Sequence, residues 1–107
     1  EAEKECVGYG GHLVSIHTAQ YNEAILRYKE SQGLKYAYIG LTCDPQEQWV
    51  DGTALNFRNI PPGYSCYIYQ DQPYYINTDG RWYQLTSTLA SICHVQQVNG
   101  KYKQIKP

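Results

Sequence analysis

Three histidines (His12, His17, His94), four cysteines (Cys6, Cys43, Cys66, Cys93) and the acids Asp44, Glu47 and Asp51 are the side chains of this 107-residue chain most suited to chemistry. The histidines are scattered, and none has the spacing to a carboxylate or a second histidine that marks a metal or catalytic cluster. The cysteines form no C-x-x-C pair, which excludes zinc-ribbon and zinc-finger patterns. Nucleophile elbow, phosphate loop and dinucleotide fingerprint are all missing. GYGG at 8–11 follows a helical segment rather than a strand, so it reads as a helix stop. These residues predict no enzyme, no metal and no cofactor.

An even number of cysteines in a small chain predicts two disulfides and an oxidising compartment, with three pairings open. The stretch WVDGTALNFRNIPPGYSC (49–66) holds a turn, a bend, two aromatics and a cysteine, a composition suited to a ligand loop. Asp51 belongs to its Asp-Gly turn, where a carboxylate serves the local backbone.

The elements that must position these residues draw on an unusual apolar supply. Leu, Ile, Val and Phe make up about a fifth of the chain, and twelve tyrosines with two tryptophans supply the remainder. Tyrosine favours strands and keeps a hydroxyl wet, which fits a half-buried sheet. The net charge of −1 offers no field for nucleic acid or anionic lipid. Lys101, Lys103 and Lys106 read as a solvated tail. No apolar run approaches the ~20 residues of a membrane span. Without an initiator methionine or signal peptide, the chain reads as a processed or excised piece.

Along the chain, residues 1–6 are helical in composition and 12–16 read as a buried strand. Thr18 caps a helix whose apolar face is Tyr21, Ala24, Ile25 and Tyr28, with Glu23, Arg27 and Glu30 outside and Gly33 as the stop. Short strands follow at 36–41, 66–70, 74–77, 81–85, 91–98 and 101–105. Asp79-Gly80 and Asn99-Gly100 mark hairpin turns. The expected class is α+β, a helix and strand followed by an antiparallel meander.

The ordered set AEKEC (2–6), GGHLVSIH (10–17), YIGL (38–41), W-x-DGT (49–53), F-x-N-x-P-x-G (57–63), Cys66, Gly80-Arg-Trp82 and Ile92-Cys93 resembles the C-type lectin-like domain family. The resemblance runs from about residue 2 to 96. It implies two helices packed on small antiparallel sheets, disulfide-stapled, with a long ligand loop. The division it implies is a domain over 1–97 lacking its first strand, and a C-terminal extension over 98–107. That extension is a candidate hairpin strand for the edge the missing strand would cover. The resemblance makes His12 and His17 structural and bridges Cys6 to Cys93. The family's partner for Cys66 would fall within YQLTSTLASI (83–92), which has no cysteine, so the expected substitute is Cys43–Cys66.

In members that bind sugar through Ca²⁺, the ligands follow the Pro-x-Gly bend and the tryptophan that matches Trp82. Here Tyr64 and Ser65 lead directly to Cys66, and Tyr83-Gln84 replace an Asn-Asp pair. The Gln72-Pro73 pair falls on the wrong side of Cys66, and Asp44 with Glu47 is too few carboxylates. The implied function is an extracellular, secreted or ectodomain recognition module, non-catalytic and without the calcium site. Its ligand is a protein surface or a glycan, met near Arg58, Asn59, Tyr64, Tyr83 and Gln84. Tyr67, Tyr69, Tyr74 and Tyr75 enrich the same region, half turned inward and half outward. The alternatives are a true carbohydrate-binding lectin that stacks sugars on tyrosine, and a degenerate structural domain.

Overall fold

A computed structural model describes residues 2–43, 46–64, 66, 73–84, 89–95 and 102–105. Among the described residues two helices and eight short strands follow one another as α1 (Ala2–Gly8), β1 (Gly11–Leu13), α2 (Ala19–Ser31), β2 (Ala37–Tyr38), β3 (Leu41–Cys43), β4 (Glu47–Trp49), β5 (Tyr74–Ile76), β6 (Trp82–Gln84), β7 (Ala90–Val95) and β8 (Tyr102–Ile105). The class is α+β.

Helix α1 buries Ala2 and Cys6, one turn apart, and ends where Gly10 adopts φ of 88°. Helix α2 starts at Thr18, whose hydroxyl accepts the Tyr21 N–H at 3.0 Å, and stops before Gly33 at φ of 71°. Its buried line is Asn22, Ile25, Leu26 and Lys29. Tyr21 and Tyr28 only flank it and Ala24 is exposed, so the face is turned by one residue from the one the apolar pattern predicts. The reason is that two of its four members are polar.

The larger sheet runs β1-β7-β2-β5-β6, with β8 also on β7, and β3-β4 form a second sheet. Strand β7 is the hub. Its residues 90–95 pair with β2 and β1 along one edge, and residues 91–94 pair antiparallel with β8 along the other. The β2–β7 ladder is parallel (Ala37↔Ala90, Tyr38↔Ser91), so the sheet is not the pure antiparallel meander expected. Of the expected strand at 12–16 only His12 and Leu13 lie in the ladder, joined by Gly11; beyond it Val14 donates to Ile92 O at 2.9 Å and accepts from Gly40 N at 2.8 Å. Likewise 36–41 is not one strand. It divides at Ile39-Gly40 and serves both sheets. Strand β4, unexpected from sequence, places Glu47 opposite Cys43.

Trp82, Tyr74, Ile39, Ile76 and Ile92 are fully buried in the main core, between α2 and the sheets. A smaller cluster of Ala2, Cys6, Leu13, Tyr38 and Cys93 lies under α1. Cys6 is bonded to Cys93 and Cys43 to Cys66, with Cα–Cα distances of 5.5 and 5.9 Å. In the chain-entropy picture the long loop contributes about 4–5 kcal/mol and the shorter one about 3 kcal/mol. The 66–70 strand beyond Cys66, the Asn99-Gly100 turn, and residues Asp44, Gln72, Lys101 and Lys106 lie outside the described residues.

Candidate functional site

The loop from Trp49 to Cys66 is shaped by local chemistry at both ends. At its start Asp51 accepts from Thr53 N (3.0 Å), Thr53 Oγ1 (2.6 Å) and Ser15 Oγ (2.5 Å), while Gly52 takes φ of 81°. Burial works to raise the Asp51 carboxyl, but these hydrogen bonds prevail and hold it below its ordinary value. At its end Tyr64 N donates to Pro61 O at 3.2 Å, with Gly63 at φ of 78°. Pro62 then Gly63 at the two central positions is a type II turn.

Between those turns the loop lies along β6. Asn59 accepts the Trp82 N–H at 3.0 Å and gives its amide to Gly80 O at 2.7 Å. Arg58 grips Glu47 bidentately, Nε to Oε1 at 2.5 Å and Nη2 to Oε2 at 2.8 Å. Tyr74, on the buried side of β5, gives its hydroxyl to Glu47 Oε2 at 2.8 Å. Hydrogen bonding from Arg58 holds the Glu47 carboxyl below its ordinary value, against the opposing effect of burial. Arg58 and Asn59 therefore have framework partners.

The other three expected site residues come together at β6. The Tyr64 hydroxyl accepts the Gln84 N–H at 2.8 Å, and the Tyr64 and Tyr83 rings meet edge to face with centroids 6.0 Å apart. Tyr83 stands opposite Tyr75 in the β5–β6 ladder, ring centroids 5.9 Å apart, and gives its hydroxyl to Asp79 at 3.1 Å. Tyr75 in turn meets Tyr36 at 5.4 Å, and Lys35 Nζ lies 5.9 Å from the centre of that ring. The result is a continuous row, Tyr36–Tyr75–Tyr83–Tyr64, every member partly exposed.

Sequence reasoning did not include Tyr36, although its alternation with Tyr38 in YAYIGL placed both on one side of the strand. Tyr67 and Tyr69 lie outside the described residues. Burial raises the phenol pKa of Tyr75 and Tyr83 above a value already well over neutral, which widens the range in which both donate hydrogen bonds. Among the described residues, no three His, Cys, Asp or Glu side chains converge as metal ligands.

The family model described as the Lectin C-type domain matches residues 1–95. The chain belongs to the C-type lectin domain family. The solved structure of a calcium-independent type II antifreeze protein superposes on this C-type lectin-like domain with a TM-score of 0.70 and 30% identity, covering 86% of this chain and 73% of that one. Human C-type lectin domain family 10 member A is 39% identical over 67 residues, 59% of this chain and 20% of that protein. Snaclec bitiscetin subunit alpha of Bitis arietans is 30% identical over 77 residues, 63% of this chain and 57% of that protein. This domain thus spans about a fifth of one curated relative and just over half of the other. The cow CD23 carbohydrate-recognition domain, solved in the presence of GlcNAc2Man3 oligosaccharide, shares the fold at a TM-score of 0.59, 23% identity, and 76% and 64% coverage. C-type lectin domains are typically extracellular or parts of ectodomains, and no helix among the described residues is long and apolar enough to cross a membrane.

Proposed function

We propose that this C-type lectin-like domain is an extracellular, non-catalytic recognition module that works without calcium and meets its ligand through the tyrosine row. The row Tyr36–Tyr75–Tyr83–Tyr64 carries the reading. Tyrosine offers large contact area at low conformational cost, with a hydroxyl at the rim, the combination enriched in binding surfaces. The acids nearest the loop support calcium independence. Glu47 is held by Arg58 and Tyr74, and Asp51 by Ser15 and Thr53, whereas Ca²⁺ needs six to eight oxygens free to turn toward it. The antifreeze relative's name also carries the words calcium-independent.

A protein surface is the favoured ligand. The Tyr36–Tyr75 and Tyr64–Tyr83 pairs meet edge to face at 77° and 80°, so each pair turns one ring's edge against its neighbour's flat side. That leaves fewer open faces for a sugar ring and suits a partner that reads edges and hydroxyls. A calcium-independent glycan is the second reading, favoured by the Tyr75–Tyr83 pair, whose planes lie only 32° apart.

The deciding experiment is glycan-array binding with and without chelator, run beside affinity capture from the same source and a thermal-hysteresis assay. The reading expects no chelator-sensitive signal. It also expects any captured protein or bound glycan to lose roughly tenfold or more in affinity on Tyr83→Ala. Chelator-sensitive glycan binding overturns calcium independence. Ligand binding indifferent to Tyr75→Ala and Tyr83→Ala overturns the tyrosine row, and thermal hysteresis moves the ligand class to ice.

A further inference from the structure

A hollow of about 350 Å³ opens beside Val7 and the Gly10–Gly11 turn, with His12, His94 and Asp51 in its wall. His12 and His94 are direct partners in the β1–β7 antiparallel ladder, and both are exposed. Direct partners point to the same face with Cβ atoms about 5 Å apart, close enough for two imidazoles to reach one ion.

His12 is held in place from α1. Glu3 of α1 accepts the Leu13 N–H on Oε1 at 2.8 Å, which fixes the carboxylate against β1. Its Oε2 lies 2.5 Å from His12 Nδ1. A carboxylate can only accept, so Nδ1 carries the hydrogen and Nε2 of the neutral ring keeps its lone pair. A carboxylate behind a histidine in this way is the arrangement that aims imidazoles at bound metals. Asp51, also in the wall, is committed to Ser15 and Thr53. Among the described residues no third His, Cys, Asp or Glu side chain joins them as a metal-ligand group.

We propose that His12 and His94 bind one divalent transition-metal ion, with Glu3 as the positioning residue for His12. Imidazole nitrogens select Cu²⁺ over Zn²⁺ and reject Ca²⁺, which demands oxygen. The site is open and exchangeable, and it is separate from the tyrosine row in its residues and in its ligand chemistry.

The test titrates the whole chain with copper(II) or zinc chloride in a non-chelating buffer, by calorimetry, with electron paramagnetic resonance on the copper form. The expected result is one ion per chain, copper tighter than zinc, and hyperfine coupling to two imidazole nitrogens. His12→Gln and His94→Gln each weaken binding by more than about 10-fold, and Glu3→Gln weakens it by about 10–100-fold. In the Glu3→Gln variant the amide oxygen still takes the Leu13 N–H. The NH2 then faces Nδ1 and drives the ring hydrogen to Nε2, the ligating atom. His17→Gln leaves affinity unchanged, and circular dichroism confirms that each variant keeps the fold. Saturable binding that survives the His12→Gln/His94→Gln pair, a single-nitrogen copper signal, or no saturable binding below millimolar metal overturns the proposal. A loss on His94→Gln with none on Glu3→Gln removes the positioning role.

Discussion

Asn22 is 8% exposed and makes two hydrogen bonds across the core, giving its amide to Gly80 O at 3.0 Å and accepting the Trp82 Nε1–H at 2.8 Å. It anchors α2 to the strand that carries Tyr83. Lys29, on the same line, is 1% exposed and gives its ammonium to Leu34 O and Lys35 O at 3.3 and 2.9 Å, just beyond the helix end. Apolar periodicity could not find this face, because a hydropathy pattern assigns Asn and Lys to water. The burial is explained by their partners, 58 and 60 residues away for Asn22 and in the turn after the helix for Lys29. Asn22→Ala leaves the Trp82 indole N–H buried without an acceptor. It is expected to cost about 1–3 kcal/mol, read as a lower urea midpoint with unchanged slope; a midpoint equal to wild type refutes this role.

Among the elements, the signals that depend on neighbouring residues were legible: the Thr18 cap, the Gly33 stop and the Pro61–Tyr64 bend. The division of residues 36–41 between two sheets was not, because β2 is held by β5 and β7, far along the chain, while β3 turns to its near neighbour β4. At that division a side chain on Gly40 would place its Cβ 2.7 Å from Leu13 O and 3.0 Å from Val14 O, both backbone atoms. Gly40 also donates to Val14 O and accepts from Val50 N, each at 2.8 Å, so the two sheets meet there without slack. Gly40→Ala is expected to destabilise by about 1–3 kcal/mol or more, lowering the thermal midpoint by several degrees. Gly8→Ala, with open space around it, serves as the control. The candidate site divided in the same manner. The tyrosines were visible as composition, but the partners that tie Arg58 and Asn59 into the framework come from β4 and the turn before β6.

For the molecule as a whole, titration sets a window of stability. Burial raises the phenol pKa of Tyr38, Tyr74 and Tyr75 above the ordinary 10.0, and Glu47 raises Tyr74 further. The folded state then holds those protons longer than the unfolded one, so stability is full below pH 10 and falls as pH rises beyond it. Lys29 has the opposite sign: burial lowers its pKa, and stability from its deprotonation grows as pH rises toward 10.5. Tyr74 carries the largest of these shifts, so the phenols set the alkaline limb. On the acid side Glu47 and Asp51 are held below their ordinary 4.5 and 3.8, so their contribution is present above those values and lost as pH falls through them. The expected profile of thermal midpoint against pH is a plateau that falls at both ends, and an alkaline limb that stays flat while the tyrosines ionise contradicts it.

The two disulfides are nested, since the 43–66 bridge lies wholly inside the 6–93 bridge. The chain between Cys6 and Cys93 is therefore a closed covalent ring with a smaller ring set within it. A protease that nicks this ring once releases no fragment, because the outer bridge still joins the two pieces. A nick between residues 43 and 66 leaves them joined at both sulfur bridges. One cut inside the outer ring therefore never parts Tyr36, Tyr64, Tyr75 and Tyr83 into separate molecules.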